Sequence, residues 1–366
     1  MIFAVLMIAA CFLTVFTLLP LWRCEAWWVR SLDFPRMQLT VIALLLLVLE
    51  CWLLDWHRPQ TWGLSLVTLL CFAYQAWWIV PYTKLFPVEV KSTTHADNRR
   101  LIRILTANVL TPNRNAKGLM DLVRENTPDI VVTLESDSWW QSKLDALQPD
   151  FPHTVKCPQD NLYGMHVYSR LPLQESQIKY LVEADVPSIH ALVPLPAGTI
   201  VRVHFLHPAP PSPTENAASS ERDAELIVVA KSVADAGIPA IVAGDLNDVA
   251  WSETTRLFRK ISGLLDPRVG RGMFNTFHAD YWFIRWPLDH LFHSDHFTLK
   301  RISRLRHFGS DHFAIFTELM LETHTDADQV GLDVDSEDKA LADAKTNQKG
   351  ISKHRVPQPE KSADHH

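Results

Sequence analysis

Three long apolar runs fill the first 82 residues and constrain the fold of this 366-residue chain more than any other feature. They cover residues 1–22, 37–56 and 62–82, and each reaches the roughly 20 residues that a membrane-spanning helix needs. Tryptophans crowd the ends of the runs, as in an interfacial aromatic belt. The first run lacks a basic flank and a clear small-residue cleavage site, which weighs against a cleaved signal peptide. We therefore predict a membrane segment with three transmembrane helices over residues 1–82.

Basic residues are distributed unevenly between the loops that join these helices. With three spans, residues 23–36 and everything after residue 82 lie on the same side of the membrane. The basic residues close to the spans on that side are Arg23, Arg30, Arg36, Lys84, Lys91, Arg99 and Arg100, against Arg58 on the other side. The positive-inside rule then predicts a multi-pass protein of the bacterial inner membrane whose large domain is cytoplasmic.

The chain after the membrane segment divides into three parts. Residues 83–100 are polar and predict a linker, and residues 101–322 alternate apolar strand candidates with amphipathic helices, as in an α/β domain. Residues 323–366 are polar with few large apolar side chains, which predicts a disordered tail. Cys157 is the one cysteine beyond residue 71, so the domain has no internal disulfide. The net charge of −6 argues against strong nonspecific binding to duplex nucleic acid.

Polar residues recur at the ends of the apolar strand candidates. They are Asn108, Glu135, His207, Asp245, Asn247, Asp289, Asp311 and His312. Taken singly, each has an ordinary explanation as a turn, cap or surface residue. Because ligands bind at strand ends in layered α/β folds, the whole set is expected to converge on one crevice. Alternation along a strand also predicts that Asp245 and Asn247 point the same way.

Taken in order, the short motifs around these residues resemble those of the endonuclease/exonuclease/phosphatase superfamily. The motifs are NV at 108–109, ES at 135–136, SR at 169–170, HP at 207–208, GDLN at 244–247, LDH at 288–290 and SDH at 310–312. The resemblance covers about residues 101–322. It implies a four-layered α/β sandwich of two mixed β-sheets flanked by helices, preceded here by the three transmembrane helices.

The resemblance also implies a metal site. Glu135 matches the principal Mg²⁺ ligand of the family, with Asn108 beside it, and Asp311 helps to hold the metal or to fix its loop. Mg²⁺ is the expected cofactor, with Mn²⁺ as the alternative. Carboxylate and amide oxygens are the ligands that such hard cations prefer.

The remaining matches imply catalytic roles. Asp245 and Asn247 correspond to the pair that orients the nucleophilic water and the phosphate. His312 and Asp289 correspond to a histidine and the acid paired with it, and His207 to the histidine that contacts the scissile phosphate. The expected reaction is phosphoester hydrolysis by metal-assisted water attack, without a covalent intermediate.

The substrate is left open between two classes. Three spans before such a domain are similar to membrane-anchored bacterial phosphatases, which favours a lipid-linked phosphate or pyrophosphate and an orientation opposite to the one that the loop charges predict. The first alternative is a membrane-tethered nuclease acting on DNA or RNA, with basic loops flanking the crevice. The arginines that could supply these loops are Arg268, Arg271, Arg285, Arg301, Arg304 and Arg306. The second is a non-catalytic membrane scaffold, disfavoured because every catalytic position is present. The bilayer and a phosphoester substrate are the expected partners, and no feature predicts a protein partner.

Overall fold

A computed structural model describes residues 1–93, 97–322 and 329–359. The chain forms two compact units. The helical unit comprises Met1–Pro87, Pro211–Ser219 and Gly270–Gly272, and the sheet unit comprises Val88–Pro210, Ser220–Val269 and Met273–His366.

The helical unit contains three helices that are long and apolar enough to cross a membrane. These stretches are Ile2–Leu21, Arg36–Leu53 and Pro59–Tyr82, which agrees with the three predicted apolar runs. Within them lie α1 (Ile2–Leu18), α3 (Arg36–Leu53) and α4 (Pro59–Ile79), and the short α2 (Trp27–Arg30) lies between the first two. Their mutual contact buries the apolar side chains of Leu6, Leu13, Leu39, Ala43, Leu46 and Cys71.

Buried polar side chains in these helices bond one another across the helix interfaces. Gln75 of α4 donates to Thr17 of α1 at 3.1 Å and accepts from Arg36 of α3 at 3.2 Å. Thr68 of α4 donates to the fully buried Glu50 of α3 at 2.8 Å. Such bonds satisfy polar groups that would otherwise be buried without partners, so they help to hold the three helices together.

The sheet unit is built on two mixed sheets. The first has the strand order β10-β11-β1-β2-β4-β3 and the second β5-β6-β7-β8-β9. The strands are β1 (Leu101–Asn108), β2 (Ile130–Leu134), β3 (His153–Cys157), β4 (Met165–Ser169), β5 (Gln174–Lys179), β6 (Ser188–Pro194), β7 (Ile200–Leu206), β8 (Ala240–Asp245), β9 (Asp289–His293), β10 (Phe297–Arg304) and β11 (Ile315–Leu321).

Alternation along the strands sorts the apolar side chains into layers. One face of each sheet contributes to a shared core, in which Ile104 and Val132 of the first sheet lie in one cluster with Val203 and Ile241 of the second. The opposite faces are covered by helices, which are α5 (Ala116–Asn126) and α6 (Ser138–Leu144) on the first sheet and α7 (Ser220–Ala234) and α8 (Glu253–Ser262) on the second. The predicted four-layered sandwich is thereby confirmed.

The C-terminal region differs from its prediction as a disordered tail. Residues 323–328 and 360–366 lie outside the described part of the chain, but Ser336–Gln348 forms helix α9. Its Asp335 N-cap completes a capping box with Asp338, and Ala342 packs against Ile227 of α7. Composition alone misled because this helix buries few apolar side chains and is held largely by charged pairs with α7 and α8.

Candidate active site

Polar side chains from both sheets meet where four strands begin or end. Asn108 is the last residue of β1, and Glu135 directly follows the neighbouring parallel strand β2. In the second sheet, Asp245 ends β8 and pairs in register with Asp289 at the start of β9. Because the two sheets pack face to face, these strand ends place their polar groups in one cluster.

Asn108 connects the two sheets at this cluster. Its buried side-chain amide donates to Glu135 Oε1 at 2.7 Å and to Asp245 Oδ2 at 3.2 Å. The side-chain oxygen Oδ1 of Asn108 accepts from the backbone N–H of Leu110 at 3.1 Å, which fixes the direction of the side-chain amide. One amide therefore holds carboxylates from two different sheets at a defined spacing.

Glu135 lies in a strained and largely buried position. Its φ of 56° is in the left-handed region, and Thr111 Oγ1 donates to its backbone carbonyl at 2.7 Å. The Oε2 atom is buried with no hydrogen-bond partner among the described residues, and burial raises the pKa of the carboxyl to about 7. A buried carboxylate oxygen without a partner is the kind of group that a bound cation satisfies.

Asp245 depends on the glycine before it. Gly244 has a φ of 146°, and a Cβ at this position would lie 1.9 Å from the Leu206 carbonyl oxygen. Glycine is therefore required for β8 to approach β7 closely at the strand end. Burial works to raise the pKa of Asp245, but His312, His207 and the hydrogen bonds from Asn247 and Asn108 together outweigh burial and hold that pKa below its ordinary value.

His312 lies between two carboxylates. Its Nδ1 is 2.7 Å from Asp289 Oδ2 and its Nε2 is 3.5 Å from Asp245 Oδ2. Ligand atoms of these three buried residues all lie within 4.8 Å of one another. Burial lowers the pKa of His312, but Asp289 and Asp245 outweigh burial and raise it to about 10. The imidazole is therefore positively charged at neutral pH.

His207 and Asn247 complete the cluster on the side of β7 and β8. His207 Nε2 is 4.0 Å from Asp245 Oδ2, and burial lowers the pKa of His207 to about 4, so its ring is neutral at pH 7. Asn247 donates to the Pro208 carbonyl at 3.0 Å and thereby ties the loop after His207 to the end of β8. The predicted shared strand face for Asp245 and Asn247 is wrong, because β8 ends at Asp245 and Asn247 lies in a left-handed turn with φ of 50°.

The loop before β11 brings Asp311 to the same region. Ser310 Oγ donates to the Asn108 carbonyl at 2.8 Å, so this loop is attached to the end of β1. Asp311 is partly exposed, and its charge contributes to the raised pKa of Glu135. All eight residues selected from the sequence therefore belong to one end of the sandwich.

Aromatic neighbours of the cluster were not predicted from the sequence. The rings of Phe277 and His312 lie 4.9 Å apart between centroids, and those of Tyr163 and His207 lie 5.4 Å apart. Neither aromatic residue belongs to a motif, so no sequence signal identified them. His290, the last residue of the LDH motif, is buried and accepts at Nδ1 from Arg268 at 2.7 Å.

The sequence profile of the Endonuclease/Exonuclease/phosphatase family matches residues 105–312. The chain belongs to this family. Family members are metal-dependent hydrolases of phosphoester bonds, so the chain is an enzyme of that class. No curated protein sequence matches the chain significantly.

The chain is similar to several solved structures. The human nocturnin catalytic domain with bound sulfate anion is 16% identical over 62% of this chain and 96% of that chain, with a TM-score of 0.50. A conserved protein of unknown function from Enterococcus faecalis is 15% identical over 60% of this chain and 100% of that chain, also with a TM-score of 0.50. An endonuclease/exonuclease/phosphatase from Beutenbergia cavernae is 20% identical over 61% of this chain and 72% of that chain, with a TM-score of 0.49.

The side chains of the cluster fit the divalent metal that the family uses. The available donors are carboxylate oxygens, which hard cations prefer over nitrogen or sulfur. The buried Oε2 of Glu135 has no partner among the described residues, so it can accept a cation without losing a hydrogen bond. The nearby imidazole of His312 is already engaged by Asp289. These donors fit a cation at Glu135 better than one at His312.

Proposed function

We propose that this chain is a membrane-anchored, Mg²⁺-dependent phosphoesterase whose substrate is a lipid-linked phosphate or pyrophosphate. The observation that supports it most is the cluster in which Asn108 bonds both Glu135 and Asp245 beside the charged His312. Three apolar helices in the same chain support membrane anchoring. Mn²⁺ is the alternative ion.

Glu135 is the proposed metal ligand, with Asp311 assisting. Asn108, which the resemblance implied as a second ligand, is proposed to position Glu135 instead, because its amide nitrogen faces the carboxylates and its Oδ1 is bonded to a backbone N–H. When bound there, Mg²⁺ neutralises charge on the phosphate oxygens and helps to orient them. Asn108 sets the spacing between Glu135 and Asp245 because it donates to both, and Thr111 fixes the backbone of Glu135. The protein thus presents a preorganised oxygen donor set rather than one that must assemble on binding.

The catalytic residues are proposed to act on water and on the phosphate. Asp245, ionised at neutral pH, accepts a proton from the attacking water. The oxygen of that water forms a bond to phosphorus while the bond from phosphorus to the ester oxygen breaks. His312 stays protonated because Asp289 holds it, so it stabilises negative charge on the phosphate. The neutral His207 and the Asn247 amide donate hydrogen bonds to phosphate oxygens.

An exposed aromatic loop near the site supports a lipid substrate. Tyr281, Trp282 and Phe283 are 51%, 79% and 53% exposed, which is unusual for three consecutive large side chains. Ring contacts continue from His312 through Phe277 (4.9 Å between centroids) and His278 (5.0 Å) to Tyr281 (4.6 Å). Tryptophan and tyrosine favour the membrane–water interface, so this loop suits a substrate that carries an apolar tail.

The second candidate function is a tethered nuclease, because exposed aromatic rings also stack on unpaired bases. The arginines that the sequence suggested for nucleic-acid contact support this candidate less well. Arg268 is buried and paired with Asp266 at 2.8 Å, and Arg306 is paired with Glu125 at 2.8 Å. Arg285 donates to the backbone carbonyl of Ala279 at 2.6 Å. These contacts leave fewer cations for a phosphate backbone than the sequence suggested.

A substrate panel tests the proposal. The full-length protein in detergent is assayed with Mg²⁺ and with EDTA on farnesyl pyrophosphate, phosphatidic acid, supercoiled plasmid and a single-stranded oligonucleotide. Phosphate release from a lipid substrate that exceeds plasmid or oligonucleotide cleavage supports the proposal. Cleavage of a nucleic acid alone establishes the second candidate instead. Glu135→Gln protein is the control for contaminating enzymes.

The side of the membrane that the domain occupies is a separate proposal. The basic residues in the loops favour a domain on the cytoplasmic side of the bacterial inner membrane. Protease added to intact cells should leave the domain uncut, and cleavage without membrane disruption would place the domain outside.

A further inference from the structure

Asn247 occupies a left-handed turn that is held by both local and distant contacts. Its φ is 50°, a conformation that few residues adopt, although asparagine tolerates it better than most. Its backbone N–H donates to Asp245 Oδ1 at 3.0 Å, and its carbonyl oxygen accepts from Arg222 Nη1 at 2.8 Å. The turn that carries Asn247 is therefore held from the side of α7 by one guanidinium group.

Arg222 is itself held by carboxylates on both sides. It is 2% exposed, and its Nε and Nη2 donate to Asp223 Oδ1 at 3.1 Å and 2.9 Å. Its Nη1 also lies 3.4 Å from Asp248 Oδ1, one residue beyond Asn247. The planar guanidinium bonds several acceptors at fixed angles, which a lysine cannot do.

Asp223 connects Arg222 to the C-terminal helix. While Oδ1 of this buried carboxylate accepts from Arg222, its Oδ2 accepts from Lys345 Nζ of α9 at 2.7 Å. Burial works to raise the pKa of Asp223, but Lys345 and Arg222 outweigh burial and hold it below its ordinary value. A buried carboxylate with two cationic partners changes its position or its charge when either partner is lost.

Helix α9 is attached to α7 by further pairs that do not include Asp223. Lys231 of α7 donates to Asp343 at 2.7 Å, and Lys349, the C-cap of α9, is paired with Glu221. The side chain of Lys349 is 25% exposed, compared with 11% for Lys345. Lys349 is therefore a matched control, since it makes the same kind of pair between the same two helices without contacting the carboxylate that Arg222 uses.

We propose that α9 positions the catalytic turn through Lys345, Asp223 and Arg222, which together hold the Asn247 carbonyl and so keep the Asn247 N–H bonded to Asp245. Lys345 and Arg222 are positioning residues in this proposal, because they act through Asn247 rather than on substrate. The inference rests on the proposed function only for its effect on catalysis. The effect on the turn itself is independent of any activity.

The test compares Lys345→Met, Lys345→Arg and Lys349→Met in the full-length protein in detergent. Hydrolysis of bis(p-nitrophenyl) phosphate with Mg²⁺ gives kcat and KM, and hydrogen exchange of the peptide covering residues 245–252 reports on the turn. We expect Lys345→Met to lower kcat about tenfold with KM unchanged, because the loss is in alignment of reacting groups. We expect Lys345→Arg to retain at least half of the wild-type kcat and Lys349→Met to change kcat less than twofold.

Hydrogen exchange separates failure of the positioning proposal from failure of the proposed function. Faster exchange over residues 245–252 in Lys345→Met, but not in Lys349→Met, supports coupling between α9 and the turn. Equal effects of the two substitutions on both kcat and exchange overturn the proposal. If the wild-type protein hydrolyses neither this probe nor any substrate of the panel, the proposed function fails, and the exchange comparison still decides whether Lys345 holds the turn.

Discussion

Replacing Asp289 by asparagine should change the pH dependence of catalysis rather than abolish catalysis at every pH. Asp289 Oδ2 lies 2.7 Å from His312 Nδ1, and Asp289 and Asp245 together raise the pKa of His312 to about 10. His312 therefore keeps its proton throughout the neutral range. Asparagine preserves the shape of the side chain but removes the charge that favours the protonated imidazole.

The size of the effect follows from Coulomb's law. Two unit charges about 4 Å apart interact with about 4 kcal/mol at an effective dielectric constant of about 20. That free energy corresponds to a roughly thousandfold loss of proton affinity at His312, since each tenfold change costs about 1.4 kcal/mol. The loss brings the titration of His312 from far above the neutral range into it.

The assay is the rate of bis(p-nitrophenyl) phosphate hydrolysis with Mg²⁺ between pH 6 and pH 9. The wild-type to Asp289→Asn rate ratio should grow at least tenfold across this range, because only the variant loses the proton of His312. Asp295→Asn is the matched control, since Asp295 is 54% exposed beside His296 and lies outside the cluster. A rate ratio that stays constant from pH 6 to pH 9 refutes the assignment of a charge-stabilising role to protonated His312.

Three further predictions concern stability and substrate handling. Glu89→Gln should lower the free energy of unfolding by about 3 kcal/mol in urea titrations, because it leaves the guanidinium of Arg259, 2% exposed, without the carboxylate 2.5 Å away. Burial, and to a smaller extent Glu183, raise the pKa of Glu225 from 4.5 to about 8. Between these pH values the folded state holds a proton that the unfolded state lacks, so the free energy of unfolding falls as pH rises. In Glu225→Gln protein, the fall in thermal midpoint from pH 5 to pH 8 should therefore be smaller than in wild type, and an equal fall would count against the buried neutral acid. Trp282→Ala should raise KM for farnesyl pyrophosphate in detergent micelles severalfold and leave KM for water-soluble bis(p-nitrophenyl) phosphate unchanged, whereas equal effects on both substrates would exclude a lipid-binding role.

Features encoded locally were predictable from the sequence. Strands β2 and β8 are short apolar runs that end in a polar residue, so both their existence and the position of Glu135 and Asp245 could be read from the chain. The N-cap of α5 at Asn115 and its amphipathic stripe are local in the same sense. The convergence of the strand ends was not local, and it was inferred from the order of motifs that resembles the family.

Features that depend on distant partners were not predictable. Strand β5 is polar and exposed, and it exists because it pairs with β6 at the edge of the second sheet. The sequence of helix α9 resembles a polar tail, because the contacts that hold it lie more than a hundred residues away in the chain. Lys345 pairs with Asp223, and Ala342 packs against α7. The direction of the His290 side chain, in contrast, could have been predicted. His290 follows Asp289 in β9, so its side chain must lie on the opposite face of the sheet from that of Asp289.

The central claim is that phosphoester hydrolysis depends on a divalent cation held at Glu135. Its most direct test is the rate of bis(p-nitrophenyl) phosphate hydrolysis by full-length wild-type and Glu135→Gln protein, with Mg²⁺, with EDTA, and after Mg²⁺ is restored. We expect wild-type activity to disappear in EDTA and to return with Mg²⁺, and the variant to be slower by about a hundredfold or more under all conditions. Wild-type activity that survives EDTA, or a Glu135→Gln protein as active as the wild type, would contradict the claim.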